Sequence, residues 1–398
     1  MRVTRFIGAG VLLLCAAGNA AAQQGDYVPG KGEDWAHKTP QEAGFDPAKL
    51  KKAVDFAIGH ETKYTDERAG VVDVRDLRLK TALDRAHEPF SDPIGPFKRR
   101  AAANGIILRG GYIVAEWGQT HEVDMTFSIS KTFLNHVAGI AHDRKMIRNV
   151  NDPVRDYVLA DHFSSEHNAP ITWDQMLRQT SGWSGTLFGK PDWADRPGDK
   201  PWTDLLAGPK PPGKHWEYND TRVNLLALAL LHLWQRPLPE VLKEHVMDPI
   251  GASDGWHWEG YRNSYVEIGG ERVQSVAGGG HWGGGMFISA HDLARLGLLG
   301  LRRGQWGDKR ILSEEWFRKS LTPTEQNPGY GYMNFFLNAA GAGRPAPFPK
   351  APKDAFAYFG AGVNMVYIDP AHDLVAVVRW IDRESEAEFV RLLLEAVK

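Results

Sequence analysis

Apolar positions along the chain fall into three regimes. Behind Asp46-Pro47, Leu50, Ala53, Val54, Ala57 and Ile58 recur at helical spacing. An Asp at the N-cap and a Pro at the first helical position complete the signature of an amphipathic helix. The stretch from Thr62 to Ala103 is charged and weakly periodic, which predicts an irregular excursion over the surface, placed where it could cover a cleft. Ile106-Ile107-Leu108, Gly110-Gly111 and Tyr112 to Trp117 then read as a strand, a tight turn and a second strand.

From about Phe127 to Gly300 the pattern turns mainly helical with long loops, as in Lys131–Arg144, Thr172–Arg178, Arg222–Trp234 and His291–Leu299. Strands return at Met365–Ile368 and Leu374–Trp380, flanking Asp369-Pro370-Ala371-His372-Asp373 as a second hairpin. A helix from about Ser385 to Val397 closes the chain, with Phe389, Leu392, Leu393 and Val397 on one side. Strands at both ends and helices between them predict a mixed α+β fold: an antiparallel sheet flanked by N- and C-terminal helices, interrupted by a mainly helical lobe. The expected division is 23–127 with 301–398 as the discontinuous lobe and 128–300 as the insertion. The crevice between them is the natural place for a ligand.

Composition narrows the function classes. The chain has 398 residues, 42% hydrophobic, enough for a sizeable core. A formal net charge of −2 offers no field for nucleic acid or an anionic membrane. Arg2 and Arg5, the apolar run Phe6–Ala17 and Ala20-Ala21-Ala22 form a secretory leader, expected at residues 1–22, so the protein is expected to be exported, periplasmic or secreted. The apolar run is too short for a stable bilayer anchor. Cys15 is the single cysteine and lies inside the leader, with Leu14 where a lipoprotein signal wants a small residue. The mature chain therefore has no disulfide, no thiol nucleophile and no thiolate metal site.

Three segments carry candidate chemistry. In Thr126-Phe127-Ser128-Ile129-Ser130-Lys131, Ser128 and Lys131 stand one helical turn apart at a helix start, where the dipole favours developing negative charge. A lysine in a dry site can give up its proton and act as a base. On spacing alone the same residues also read as a helix cap followed by a surface lysine. Pro212 to Asp220 puts Tyr218, Asn219 and Asp220 on a loop just before an apolar helix. A neighbouring ammonium can bring a tyrosine hydroxyl into the range of a useful base. Phe359-Gly360-Ala361-Gly362-Val363-Asn364 runs into a strand, where glycines let a substrate lie close and leave a main-chain N–H to face an oxyanion. His281 and Trp282, before Gly283-Gly284-Gly285, are candidate cleft residues or plain packing.

Two other patterns fail. Gly182-Trp183-Ser184-Gly185 has Thr186 where a nucleophile elbow needs its second glycine. His162, Glu166 and His167 fit neither metalloprotease spacing.

The order Ser-x-x-Lys, Tyr, Gly-rich strand resembles the serine β-lactamase and penicillin-binding-protein superfamily, nearest its class C, carboxypeptidase and esterase branch. Asn151-Asp152-Pro153-Val154, Ile171 to Trp183, and Gly283–Met286 before Ala290–Arg295 are similar to the same group. The likeness spans roughly Gly105 to Trp380 and implies a β-lactamase/transpeptidase-like fold with the active site between the lobes. It implies Ser128 as nucleophile, Lys131 and Tyr218 as proton carriers, and an oxyanion site between the main-chain N–H groups of Ser128 and Val363. Asp220, Gly360, Gly362, His281 and Trp282 become candidate substrate contacts, and no metal or organic cofactor is needed. Two departures stand out: Asp220 occupies the usual Asn position, with Asn219 one place early, and Gly360-Ala361-Gly362 replaces a Lys/His-Thr/Ser-Gly run. The cation and hydroxyl that grip a β-lactam carboxylate are missing, so the pattern is more like the esterases and 6-aminohexanoate-dimer hydrolases. The expected substrate is a small ester, amide or peptide. A D-alanyl carboxypeptidase or β-lactamase role, and a non-catalytic binding protein, are the alternatives.

Overall fold

The computed structural model describes residues 27–32, 34–62, 90, 92–98, 100–194, 208, 210–280, 282–340 and 345–398. The expected leader with Cys15, most of the surface excursion, and His281 lie outside the described residues.

Helix α1 (Pro47–Gly59) starts as its sequence dictates, with the Asp46 carboxylate accepting from the main-chain N–H groups of Ala48 and Lys49 at 3.0 and 3.1 Å. Strands β1 (Asn104–Arg109) and β2 (Tyr112–Trp117) form the first hairpin, closed by Gly110 and Gly111 at φ +59° and +85°. Short strand β3 (Asp124–Met125) leads into α2 (Ser130–Asp143) and α3 (Trp173–Leu177). A small ladder, β4 (Thr186–Leu187) with β5 (Lys190–Pro191), precedes α4 (Asp220–Trp234) and α5 (Leu238–Leu242). Strands β6 (His257–Ile268), β7 (Glu271–Val276) and β8 (Gly285–Ile288) follow, then α6 (Ala290–Leu301). Ladder β9 (Gln305–Trp306) with β10 (Lys309–Arg310) and helix α7 (Glu314–Ser320) lead to β11 (Phe335–Phe336), β12 (Phe356–Gly360), β13 (Asn364–Asp369), β14 (Leu374–Arg379) and α8 (Glu386–Ala396).

The principal sheet is antiparallel, in the order β11-β12-β13-β14-β1-β2. β1 pairs with β14 from Asn104↔Arg379 to Arg109↔Leu374, so the N-terminal hairpin docks on the last strand of the chain. Its strands are apolar on both sides because both faces are covered. Ile107, Met365, Tyr367, Ala376 and Val378 point into a core shared with α1 and α8. Ile106, Leu108, Val366, Ile368, Val375 and Val377 point into the larger core under α6 and the helical lobe. A one-residue slip would exchange these two sets, so the register is firmly fixed. Truncating fully buried Phe389 of α8 to Ala would cost about 3–5 kcal/mol.

The interval 128–300 is less purely helical than its pattern predicts. It holds three strands of a second antiparallel sheet, β3-β8-β6-β7, whose β3 lies just before it. β6 escapes sequence notice because Arg262, Asn263, Tyr265 and Glu267 interrupt its buried Trp258, Tyr261 and Ile268, and its register shifts between Gly260 and Tyr265. Helix α6, inside the same interval, packs on the principal sheet, so close that a methyl on Gly297 would stand 2.6 Å from Val375. Among the described residues, no helix is long and apolar enough to cross a membrane.

Candidate active site

The nucleophile candidate sits on a turn clamped from several sides. Phe127–Ile129 is a single 3₁₀ turn running straight into α2. Phe127 has φ +49°, a strained choice for a bulky side chain, and its ring packs edge-on against Trp380 at 6.3 Å. Thr126 donates its main-chain N–H to the Met286 carbonyl at 3.0 Å, and Met286 N–H donates to Ser130 Oγ at 2.7 Å. Backbone then closes in from two glycine stretches. A methyl on Gly360 would lie 1.9 Å from the Thr126 carbonyl and 3.3 Å from the Ser128 nitrogen; one on Gly279 would lie 2.0 Å from the Phe127 carbonyl.

Lys131 lies one turn along α2, 1% exposed. Its Nζ is 2.9 Å from Ser128 Oγ, 3.1 Å from the Gly278 carbonyl and 2.6 Å from Asp220 Oδ1. The first two accept hydrogen bonds from the ammonium, and the Asp220 carboxylate pairs with it as an ion. Gly278 is itself held by the Asn224 side chain, which accepts from its N–H at 2.9 Å and donates to the Tyr261 hydroxyl at 2.8 Å. The Asp220 carboxylate packs so tightly on Gly280 that a methyl there would meet it at 1.8 Å.

Tyr218 comes from the loop before α4. Lys131 Nζ lies 4.9 Å from the centre of its ring, within cation–π range. Asn219 serves as the cap of α4, accepting from Arg222 N–H at 2.9 Å and donating to the Asp192 carbonyl at 2.6 Å. That cap turns Asp220, rather than Asn219, towards Lys131. Gln179 braces the loop, accepting from Asn219 N–H at 2.7 Å and donating to the Tyr330 hydroxyl at 2.8 Å. Burial pushes the Tyr330 hydroxyl above its ordinary range, so it stays a neutral phenol. Arg222 anchors the base of the loop to Glu217 and, at 3.3 Å, to Asp192.

Around Tyr218 runs a wall of aromatic rings. Trp216 meets Tyr330 edge-on at 5.4 Å, Tyr330 meets Phe335 at 4.9 Å, and Phe335 meets Phe359 at 5.5 Å. Tyr330, Phe335, Gly278 and Asn224 were not singled out by the sequence. The first two follow no motif, and the last two act through a carbonyl and a side chain one step removed from Lys131.

The structure thus brings Ser128, Lys131, Tyr218, Asp220 and Gly360 together. Gly362 and Val363 continue the turn beyond Gly360, and Trp282 is turned into packing. Val363 lies three residues beyond Gly360 in the β12–β13 turn, at φ +50°, with its carbonyl accepting from Trp380 N–H at 2.8 Å and its side chain in the core under α1 and α8. Gly362 supplies the preceding positive φ, +69°. Trp282 is fully buried, donates its indole N–H to the Phe90 carbonyl at 3.0 Å and lies under the Lys190 ammonium, so it acts as packing and not as cleft lining. Ser184 is tied by its N–H to Asn168, and His167 to the Gly182 carbonyl, in a loop distinct from Lys131.

Comparison with known proteins follows this geometry. Among curated proteins, no sequence match was found. Solved structures share the fold at low identity. A β-lactamase from Mycobacterium bovis is 17% identical at TM-score 0.51, covering 77% of this chain and 97% of its own. A family VIII carboxylesterase is 16% identical at TM-score 0.53, covering 75% and 92%. A Bacillus anthracis protein provisionally named as a 6-aminohexanoate-dimer hydrolase is 18% identical at TM-score 0.51, covering 80% of each. The Beta-lactamase family model matches residues 97–393, most of the chain and all of the site just described. On that match, the chain belongs to the β-lactamase family.

Proposed function

We propose that the protein is a serine hydrolase that cleaves an ester or small amide bond through an acyl-enzyme on Ser128. The observation that carries this reading is the contact of Lys131 Nζ with Ser128 Oγ at 2.9 Å, beside the Tyr218 ring and away from bulk water. Once the Lys131–Tyr218 pair has given up one proton, Ser128 Oγ attacks the substrate carbonyl carbon and passes its own proton to the Lys131 amine or the Tyr218 phenolate. The resulting oxyanion is held by the Ser128 N–H and a main-chain N–H from the turn that follows Gly360, between Ala361 and Val363. Collapse expels the alcohol or amine, which takes the proton back, and water then releases the acid by the same route reversed.

Asp220 supports an ester or uncharged amide over a carboxylate-bearing substrate. It places a carboxylate 2.6 Å from the catalytic ammonium, where the ion pair neutralises a cation that an anionic substrate would otherwise meet. The names of the carboxylesterase and the 6-aminohexanoate-dimer hydrolase among the structural relatives agree with this preference. The partly exposed rings of Trp216 and Phe335, backed by buried Tyr330, support an apolar acyl or leaving group. The leader expected at residues 1–22 supports a place of action outside the cytoplasm.

Intact-mass measurement after a fluorophosphonate probe tests the proposal. One adduct on the wild type and none on Ser128→Ala is the expected result. An adduct that persists in Ser128→Ala, or none on a wild type that also fails to turn over p-nitrophenyl esters, would overturn it. Labelling by a tagged penicillin at a comparable rate would move the assignment to cell-wall chemistry.

A further inference from the structure

Away from Ser128, the β2 end of the principal sheet gathers three side chains able to bind a metal. Glu116 is near the end of edge strand β2, His121 is in the loop that follows, and His291 is in the first turn of α6. Glu116 Oε1 lies 3.1 Å from His291 Nε2 and 4.0 Å from His121 Nε2, and the donor atoms of all three lie within 4.8 Å of one another. The two imidazoles stack at 4.0 Å and 18°, so both turn an edge to the same carboxylate.

The arrangement is held by its backbone. Ala290 N–H and His291 N–H both donate to the Thr120 carbonyl, at 2.9 and 3.4 Å, tying the loop to the start of α6. The Thr120 hydroxyl donates to the Glu116 carboxylate. Trp35 backs His291 edge-on at 5.9 Å and is itself fixed by its indole N–H on the Gly111 carbonyl at 2.8 Å.

We propose that Glu116, His121 and His291 form a binding site for a divalent transition metal of the zinc class, with two imidazole nitrogens and one carboxylate oxygen as ligands and water in the fourth position. Calcium and magnesium select all-oxygen sites, whereas two imidazoles with one carboxylate suit zinc and its neighbours. Ligand bonds of about 2.0–2.1 Å in a tetrahedron put neighbouring donors about 3.3 Å apart, so small side-chain rotations bring these three into place. His291 is buried while His121 and Glu116 face solvent, which gives the ion a route in and leaves a position for water. The site ties β2, the loop into β3 and α6 together, so its effect is on stability and not on the chemistry at Ser128.

Untagged, chelator-treated full-length protein titrated with cobalt(II) tests this, read by visible absorption and by competition with zinc(II). One equivalent of cobalt with the intense bands of a four-coordinate site is expected, displaced by zinc, with a melting temperature that rises as zinc is added. His121→Ala, an exposed change, and Glu116→Gln should each weaken binding roughly tenfold or more while circular dichroism stays native. Absence of both the bands and the melting shift in the wild type would overturn the proposal. So would binding equally tight in both variants.

Discussion

Lys131 and Arg379 are each 1% exposed, yet they are buried in different company. The Arg379 guanidinium reaches Asn364 Oδ1 at 2.8 Å, the Ile288 carbonyl at 2.7 Å and the Met125 carbonyl at 2.5 Å. Those oxygens belong to β13, β8 and β3, so one rigid fork fastens the principal sheet to the smaller one just before the nucleophile turn. Asp124 nearby offsets its charge, itself pinned by the N–H of Ala101 at 2.8 Å and the indole of Trp380 at 3.0 Å. Lys131 instead has a hydroxyl, a carboxylate and an aromatic ring around it, together with one carbonyl. Neutral carbonyls can only be held. A hydroxyl and a carboxylate can trade protons, and on the proposed function that difference separates a structural buried cation from a chemical one.

The comparison breaks first at Lys131. Lys131→Ala should lower kcat/KM on p-nitrophenyl esters about 10³-fold. It should also destabilise the fold, because Asp220 is left buried without its counter-ion. The double variant Lys131→Met/Asp220→Asn should regain the melting temperature and not the activity. Recovery of both would show that Lys131 is structural after all.

Arg379→Met should do the reverse. Three acceptors lose their donor, at about 1–3 kcal/mol each, so urea unfolding should reveal a loss of ~3 kcal/mol or more. Activity per folded molecule, counted by active-site titration, should fall less than tenfold. Gly360→Ala tests the clamp on the nucleophile turn: moving β12 away from the Thr126 carbonyl should cost roughly 10²-fold in kcat, with a smaller change in melting temperature.

Asp220→Asn removes one negative charge beside Lys131 and should speed acylation by a carboxylate-bearing β-lactam roughly tenfold, read by nitrocefin turnover. No gain would mean that the missing strand-motif cation alone governs that discrimination. The smallest effect is at His136, where burial lowers the imidazole to about 4 from 6.5. The unfolded chain takes up a proton there first, so stability is full above pH 6.5 and falls as pH drops toward 4. Between pH 6.5 and 5.5 the loss should be about 1 kcal/mol, and His136→Gln should flatten that slope relative to wild type in parallel urea titrations.

Much of the frame was legible because its signals are local. Asp46-Pro47 caps α1 as written, and the Gly110-Gly111 turn and the β13–β14 pair fall within a residue or two of their expected bounds. The pairing of β1 with β14 was not legible: about 270 residues separate partners that nothing local matches, and such pairing is set by the whole core. Strand β6 stayed hidden behind its polar face. At the site, the gathering of Ser128, Lys131 and Tyr218 could be read because motif order brings these side chains to one place. Asp220 could be named but not its pairing with Lys131, since that depends on Asn219 taking the cap and turning the next residue inward. Trp282 was read as a candidate for the cleft because a Trp beside glycines has the same appearance whether it lines a cavity or fills one; here it fills one.

The backbone clamp around the nucleophile turn also sets how this protein can change. Gly360, Gly279 and Gly280 each meet another group closer than a methyl could tolerate, so nearly every single substitution there is lethal to the geometry. Trp216 and Phe335 are partly exposed and pack on other rings, so they can be exchanged with less disturbance than Tyr330, which is buried against the Gln179 brace. Tolerance is therefore steeply graded from the inside outwards. A random library selected for new substrates should collect its accepted changes in that aromatic rim, and leave the catalytic centre as it is.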